Sequence, residues 1–483
     1  MSIRITGISS NLDTDSMVEE LVSAYKEKGE DLEKDQTLLS WKQDAWEDLS
    51  SEISTFYSKT LNNMRFSSTY TEKETTVSDE TKATVVASDN AVNGTQTLEV
   101  TSLAKAAYLT GGELSTTDDS TLSSSSTLAD LGYTGDTTTI TVNQGEQKED
   151  GTYDTVTFDI SSDTTISEFV SYMSAAGYNA NFDSSSGRIF IGSQDSGAAD
   201  NFDFDTASLD EDGTAALNAL GLLDDGVKID GQNATIILNG AEFESDTNTF
   251  TINGLTVTAK SLTEEDSPIT LITDTDYDSI YDSIRDFFSD YNSLINEMDA
   301  LYNADSADDY EPLTDDEKDE MSDTEIEAWE EKIKDAILRR DDTLSTVSSV
   351  LKDAMLQTYT VDGTTLSLSS FGISTLGYFD AADNEKNAYH IDGDEDDDDT
   401  SGNDDQLMSA IASDPEQVAS FFQQLAQNLY TSLSKQMSTN EYRSYGSFYN
   451  DKLMDEEYDD YTDKIEDWDD YVDDLEERYY QQF

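Results

Sequence analysis

DTDSMVEELVSAYKEKGEDLEKDQTLLSWKQDAWEDLSSEISTFYSKTLNNM, residues Asp13 to Met64, decides the architecture. Val18, Tyr25, Leu32, Leu39, Trp46 and Ile53 recur every seven residues, with Leu21, Leu49 and Phe56 at a companion position three residues on. A seven-residue apolar repeat sustained this far is the signature of a coiled coil. Between Leu21 and Leu49 the companion column turns polar, as Lys28, Asp35 and Lys42. Polar seam positions set register or oligomer state at a cost in stability, so this helix needs a partner. Ser16 and Glu19 have the spacing of a capping box, and helix initiation is expected at Asp13, Thr14 or Ser16. Gly29 costs about 1 kcal/mol against Ala and predicts a weak point in the helix.

The matching partner stands at the other end of the sequence. Met454, Tyr458, Tyr461, Ile465, Trp468, Val472, Leu475 and Tyr479 keep a 4-3 alternation, and the residues between them are mostly Asp and Glu. Only one stripe of such a helix can face a core. The expected pairing surface is therefore Val18, Leu21, Leu32, Leu39 and Trp46 against Tyr458, Ile465, Trp468 and Leu475.

The 483 residues carry 105 acids against 27 Lys and Arg, a formal net charge of -78. That excludes a nucleic-acid or anionic-membrane surface, since phosphate binding needs clustered cations. It also implies self-repulsion of compact and assembled states. Without cysteine there is no disulfide, thiol chemistry or Cys-bound metal. No apolar window long enough to span a membrane occurs, and residues 1 to 20 lack the apolar core of a secretory signal.

Between the helical ends the pattern changes. Thr84 to Ala87 and Thr95 to Thr101 read as a hairpin about Asn93-Gly94. Thr137 to Val142 and Thr155 to Ile160 read as strands, followed by a helix opened by Thr165 and Glu168 and closed at Gly177, then a hairpin from Tyr178 to Ile191. Asn239-Gly240 and Asn253-Gly254 predict a β meander over residues 234 to 260. Helical heptads resume at Tyr277. Ser322 with Glu325, Thr343 and Pro415 open later helices, and Leu366 to Ile373 and Thr375 to Phe379 read as short strands.

A search for chemistry returns no catalytic, cofactor or metal assignment. His390 is the one histidine, which rules out multi-His metal sites, and it sits in an Asp-rich loop that reads as solvated. The run Asp394 to Asp399 offers hard oxygen ligands, but neither it nor Asp274-x-Asp276-x-Asp278 meets the EF-hand pattern, the latter failing at Ser279.

Gly7-Ile8-Ser9-Ser10-Asn11-Leu12-Asp13-Thr14-Asp15-Ser16-Met17-Val18-Glu19-Glu20-Leu21 is similar to the opening signature of the flagellar hook-associated protein 2 family, the filament caps. Ala91 to Ala104, with its closing Leu103-Ala104, the helix Tyr277 to Leu294, Pro312-Leu313-Thr314, Trp329, Arg339-Arg340-Asp341 and Phe371-Gly372-Ile373 also resemble that family, and Thr165 to Ile191 looks like a module of flagellar hook and filament proteins. Relatives usually have Ser-Gly near Ser10 and Asn11 and continue through a further helical stretch where this sequence reaches Phe483.

The resemblance implies an α+β multidomain structure. Its parts would be a terminal coiled-coil domain (1-45 and 445-483), a helical leg domain with short strands (46-75 and 274-444), a β-rich head (76-108 and 232-273) and an inserted outer α+β head (109-231). It further implies a structural cap at the flagellum tip, outside the cell, exported through the flagellar secretion apparatus without a cleavable signal peptide. The implied partners are copies of itself in a ring of about four to six subunits, flagellin and the hook-filament junction proteins. No cofactor, enzyme activity, nucleic acid or membrane partner is implied. The alternative is a tip-exposed adhesin recognising host glycans or mucin through residues 109-231.

The charge carries its own expectation: the melting temperature rises clearly between low salt and about 0.15 M, where screening acts over ~8 Å. Thermal melts across that range check it, and a flat response would remove self-repulsion as a determinant of stability.

Overall fold

A computed structural model describes residues 14–118, 120–265 and 267–482, and the expected lead-in at Met1 to Ser10 and cap at Asp13 lie outside them. The chain divides into two units, Met1–Thr71 with Tyr277–Phe483, and Glu72–Asp276. Helices stand at both ends and β-rich structure lies between, an α+β multidomain architecture.

In the helical unit the N-terminal helix Thr14–Thr55 runs unbroken through Gly29 and continues by a π-helical turn, Phe56–Leu61, to Met64. Ser16 lies within the helix rather than at its cap. Helices Tyr277–Asn303, Asp342–Met355 and Pro415–Gln436 enclose the core, in which Phe287, Phe288, Tyr291, Phe371, Phe421 and Phe422 are buried. Their starts follow from local chemistry. Asp341 accepts from the Thr343 and Leu344 amides, Asp414 from the Gln417 amide ahead of Pro415, and Ser322 with Glu325 forms the expected capping box. Leu368–Phe371 is a 3-10 turn rather than strand, and Ile373–Thr375 pairs with Tyr389–Ile391, leaving Tyr378 and Phe379 exposed on the loop between.

Two charged groups inside this unit set conditions on it. Asp299 is buried and accepts from the Lys352 ammonium at 2.6 Å and the Asn387 amide at 2.6 Å, which compensates the charge. Glu297, on the same helix, is raised from an ordinary 4.5 to about 7 by burial first and then by Glu52 and Asp48 of the N-terminal helix.

The inserted unit holds two cores. One, from Ala83 to Ala104 and Ala234 to Leu271, lies between two sheets. The five-stranded sheet has the order Lys73–Val77, Ile269–Thr275, Gly94–Ser102, Ala234–Leu238, Ala241–Ser245, with a register shift between Thr235 and Ile236. The three-stranded sheet has the order Thr249–Ile252, Leu255–Ala259, Ala83–Ala87. Both Asn-Gly pairs make the expected tight turns, Asn239 at φ 52° and Asn253 at φ 48°. Their hairpins, however, belong to different sheets, so the segment is not one meander. Nor do Ala83–Ala87 and Gly94–Ser102 pair across Asn93-Gly94: the first pairs with Leu255–Ala259, the second with Ile269–Thr275 and Ala234–Leu238. These long-range partners bury Leu98 and Val100, which an isolated hairpin would leave half covered.

The other core, Ala107 to Leu222, is the small α+β module. Thr165 and Glu168 close their capping box on helix Ile166–Ala175, Gly177 follows at φ 95°, and Asn179–Asp183 pairs with Arg188–Gly192. Helix Glu211–Ala219, capped by Asp210, was not legible in the sequence pattern.

The Glu297 environment generates a pH dependence. A carboxyl raised on folding contributes most when protonated, below about pH 4.5, and that contribution is lost as pH rises through about 7. Glu297→Gln keeps the neutral form, so its stability relative to the native chain should climb between pH 5 and 7 and level off above; parallel urea titrations at each pH check this.

Candidate docking site along the paired terminal helices

The N-terminal helix and the C-terminal helix, Asp451–Gln482, pack antiparallel, with Tyr25 beside Tyr471 and Gln43 beside Asp455. The centre of the contact is Trp468. Its indole N–H donates to the Tyr25 carbonyl at 2.7 Å, its ring lies under the Lys28 ammonium at 4.4 Å from the centroid, and Tyr471 packs beside it at 5.3 Å. Gly29 makes the room: a Cβ there would meet Trp468 Cδ1 at 3.2 Å. The glycine that reads as a weak point is thus the slot for the largest side chain of the partner helix.

The seam follows from that slot. Val18 and Val22 are fully buried, Gly29 is buried, Gln36 donates to Thr462 Oγ1 at 2.7 Å and to the Tyr458 carbonyl at 3.3 Å, and Gln43 donates to Asp455 Oδ1 at 3.0 Å. The column beside Val18, Tyr25, Leu32 and Leu39 is therefore Val22, Gly29, Gln36 and Gln43, four residues on, and not Leu21, Lys28, Asp35 and Lys42. Leu21 is 43% exposed, a correction of one residue in register. The missing side chain at Gly29 is what lets the indole reach a main-chain carbonyl.

The other expected residues divide. Leu32, Leu39, Ile465 and Trp468 are half-buried, Leu475 is buried, and Tyr458 is 37% exposed although its carbonyl is engaged. Trp46 belongs to the helical core, where it stacks at 5.6 Å on Tyr449, just ahead of the C-terminal helix. Residues outside the expected set, Val22, Tyr25, Gly29, Gln36, Gln43 and Tyr471, complete the contact, and the recurrence of Val22, Gly29, Gln36 and Gln43 every seven residues was the signal available for them.

Cations are placed where the helix meets its neighbours. Lys26 pairs with Glu476 at 3.9 Å, Lys34 with Glu311 at 3.3 Å and Lys42 with Asp341 at 2.8 Å, while Lys28 covers Trp468. All four lysines of a helix holding twelve acids are used in this way. The C-terminal helix has fifteen acids against three basic residues. Exposed apolar and aromatic surface persists along the pair at Met17, Leu21, Tyr458 and Tyr471.

No other cluster forms a catalytic arrangement among the described residues. His390 departs from its solvated reading: it lies in strand Tyr389–Ile391, largely buried, with Nδ1 2.7 Å from Asp397 Oδ2. Burial opposes the charge of Asp397, yet the bonds from His390, the Asp399 amide and Thr400 hold its carboxyl below the usual range. The His390, Asp397 and Asp399 ligand atoms lie within 4.8 Å of one another. The loop's carboxylates serve its own turns, Asp394 accepting from the Asp396 amide and Asp397 from the Asp399 amide. No helix among the described residues is long and apolar enough to cross a membrane.

Residues 10–107 match the flagellar hook-associated protein 2 N-terminus and residues 231–483 the flagellar hook-associated protein 2 C-terminus. The chain belongs to the flagellar hook-associated protein 2 family. A flagellar hook-associated protein 2 of Halalkalibacterium halodurans is 23% identical over 471 residues, covering 92% of this chain and 83% of that protein. One of Thermotoga maritima is 27% identical over 320 residues, covering 65% of this chain and 46% of the relative. The crystal structure of the flagellar cap protein FliD D1-D2-D3 domains from Escherichia coli aligns with a TM-score of 0.55 at 20% identity, over 86% of this chain and 99% of that one, which shows a shared fold. The hook-associated protein 2 family is structural rather than enzymatic, and its two matched regions flank the small α+β module.

Gly29→Leu should expel the Trp468 indole and break its bond to the Tyr25 carbonyl, destabilising the helix pair by about 2 kcal/mol. Hydrogen exchange over residues 451–482 should accelerate while the inserted unit stays protected, and equal protection in both proteins would show that the slot contributes nothing.

Proposed function

We propose that this chain is a structural cap at the distal tip of the bacterial flagellar filament, a homo-oligomer that promotes folding and insertion of exported flagellin and prevents its leakage. The observation that carries the reading, beyond family membership, is the partly open seam of the terminal helices. Two acid-rich helices held by one indole, a few amides and an apolar stripe only part of which is fully buried are marginal alone and gain order against neighbours. A pairing of that strength lets the ends of a cap subunit shift as subunits are added beneath it. Flagellin and the hook-filament junction proteins are the partners this role requires, and the absence of cysteine suits passage of an unfolded chain through a narrow export channel. The adhesin alternative is not adopted, because the outer module by itself identifies no ligand.

Deletion of the gene in the source bacterium should leave absent or stunted filaments and unpolymerised flagellin in the medium, both reversed by the native gene. Complementation with Ile465→Asp and Trp468→Asp together should fail while the inserted unit stays folded. Normal filaments in the deletion strain would overturn the cap role, and full rescue by the double variant would remove the helix pair from it.

A further inference from the structure

The acids of this chain are unevenly spread. Its longest stretch without Asp or Glu is the 24 residues Gln417 to Asn440, and the next longest is the 19 residues Ile53 to Thr71. These two stretches, far apart in sequence, pack together. Tyr57 stacks on Tyr430 with ring centroids 4.2 Å apart, and Arg65 lies 3.7 Å from the Tyr430 centroid and donates through Nε to Gln427 Oε1 at 2.9 Å.

Burial does not account for the missing carboxylates. Ser58, Lys59, Asn63, Gln424, Gln427, Thr431 and Lys435 are all exposed. Along Asp451–Gln482, by contrast, the exposed positions are filled mostly with Asp and Glu. Here they hold amides, hydroxyls and lysines. A groove lined by Arg65, Gln423, Gln427, Asn428, Thr431 and Lys435 runs along this face. Asp290, which accepts from Thr60, and Asp353, in an adjoining hollow that Asn428 and Lys435 also line, stand beside it. Lys59 and Lys435 have no carboxylate partner among the described residues, whereas every lysine of the N-terminal helix is engaged.

We propose that this carboxylate-free face is the docking surface for the acid-rich surface of a second copy of this chain. The inference rests on the homo-oligomeric reading given above and locates its contact. Two bodies of formal charge -78 repel over most of their surfaces. Close approach is least costly where one side brings no carboxylate and offers amide and ammonium donors instead, since carboxylates accept charge-assisted bonds from such donors. Because the donor face and the acid-rich face are different parts of the same chain, the contact is heterologous and can repeat around a ring.

The test is sedimentation velocity of the purified full chain over a concentration series at about 0.15 M and about 1 M NaCl, where the screening length falls from ~8 to ~3 Å. Lys435→Glu should raise the apparent dissociation constant about tenfold at the lower salt and approach the native value at the higher. Lys332→Glu, an identical charge change at an exposed lysine on helix Asp323–Asp335, should have a much smaller effect. Gln424→Glu with Gln427→Glu, nearly isosteric and able to keep the Arg65 bond, should act as Lys435→Glu does, with circular dichroism melts confirming the fold. Self-association unchanged by the face variants, or weakened equally by Lys332→Glu, overturns the location but leaves the oligomer standing. A native chain that stays monomeric at every concentration and salt overturns both.

Discussion

Trp468 seated over Gly29 is the contact on which the helical unit's layout turns. Tyr25 and Trp468 are 443 residues apart in sequence, and the bond between carbonyl and indole joins the two ends of the chain. Closing a loop of that length costs several kcal/mol of chain entropy, but the cost grows only logarithmically with length. A modest seam can therefore hold the ends together provided the rest of the chain folds on its own terms, as the aromatic core around Phe287, Phe288 and Phe422 and the two cores of the inserted unit allow.

The same seam explains how an acid-rich chain spends its few cations. Two helices crowded with carboxylates approach each other because Lys26 meets Glu476 across the pair, Lys34 and Lys42 tie the N-terminal helix to Glu311 and Asp341, and Lys28 stands over an aromatic face. The more exposed of these pairs, Lys26 with Glu476 and Lys34 with Glu311, contribute little individually. Their placement matters more, since each lies where carboxylates of neighbouring segments would otherwise face one another.

Much of this was legible in the sequence, and what was not has a common cause. The repeat through Val18, Tyr25, Leu32 and Leu39 announces a paired helix, and the closing stripe through Trp468 announces its partner. The companion column lies one residue beyond the position the apolar pattern suggests, because Gly29, Gln36 and Gln43 do not look like core residues; their role appears only when the partner helix's indole and hydroxyl are present. Capping boxes at Thr165 and Ser322 and the Asn-Gly turns at Asn239 and Asn253 are local and could be read directly. The partner of Ala83–Ala87 lies some 170 residues away at Leu255–Ala259, and no local pattern encodes that choice. His390 is surrounded by acids in the sequence, while its enclosure depends on contacts that no local pattern encodes: its strand pairs with Ile373–Thr375 and Asp397 meets its Nδ1. The family resemblance carried further than the periodicities because it reads motifs across the whole length at once.

The route by which the chain enters and leaves the inserted unit has a consequence of its own. Lys73–Val77 and Ile269–Thr275 are neighbours in one sheet, and the Asp276 amide donates to the Glu72 carbonyl at 2.9 Å, so exit and return lie side by side. The residues between them thus begin and end at one place in the same sheet. Such an attachment tolerates exchange: an insert can grow, shrink or be replaced in descent without the helical unit having to change the distance between its own two severed ends. The helical unit can then stay under one set of constraints while the inserted unit varies under another.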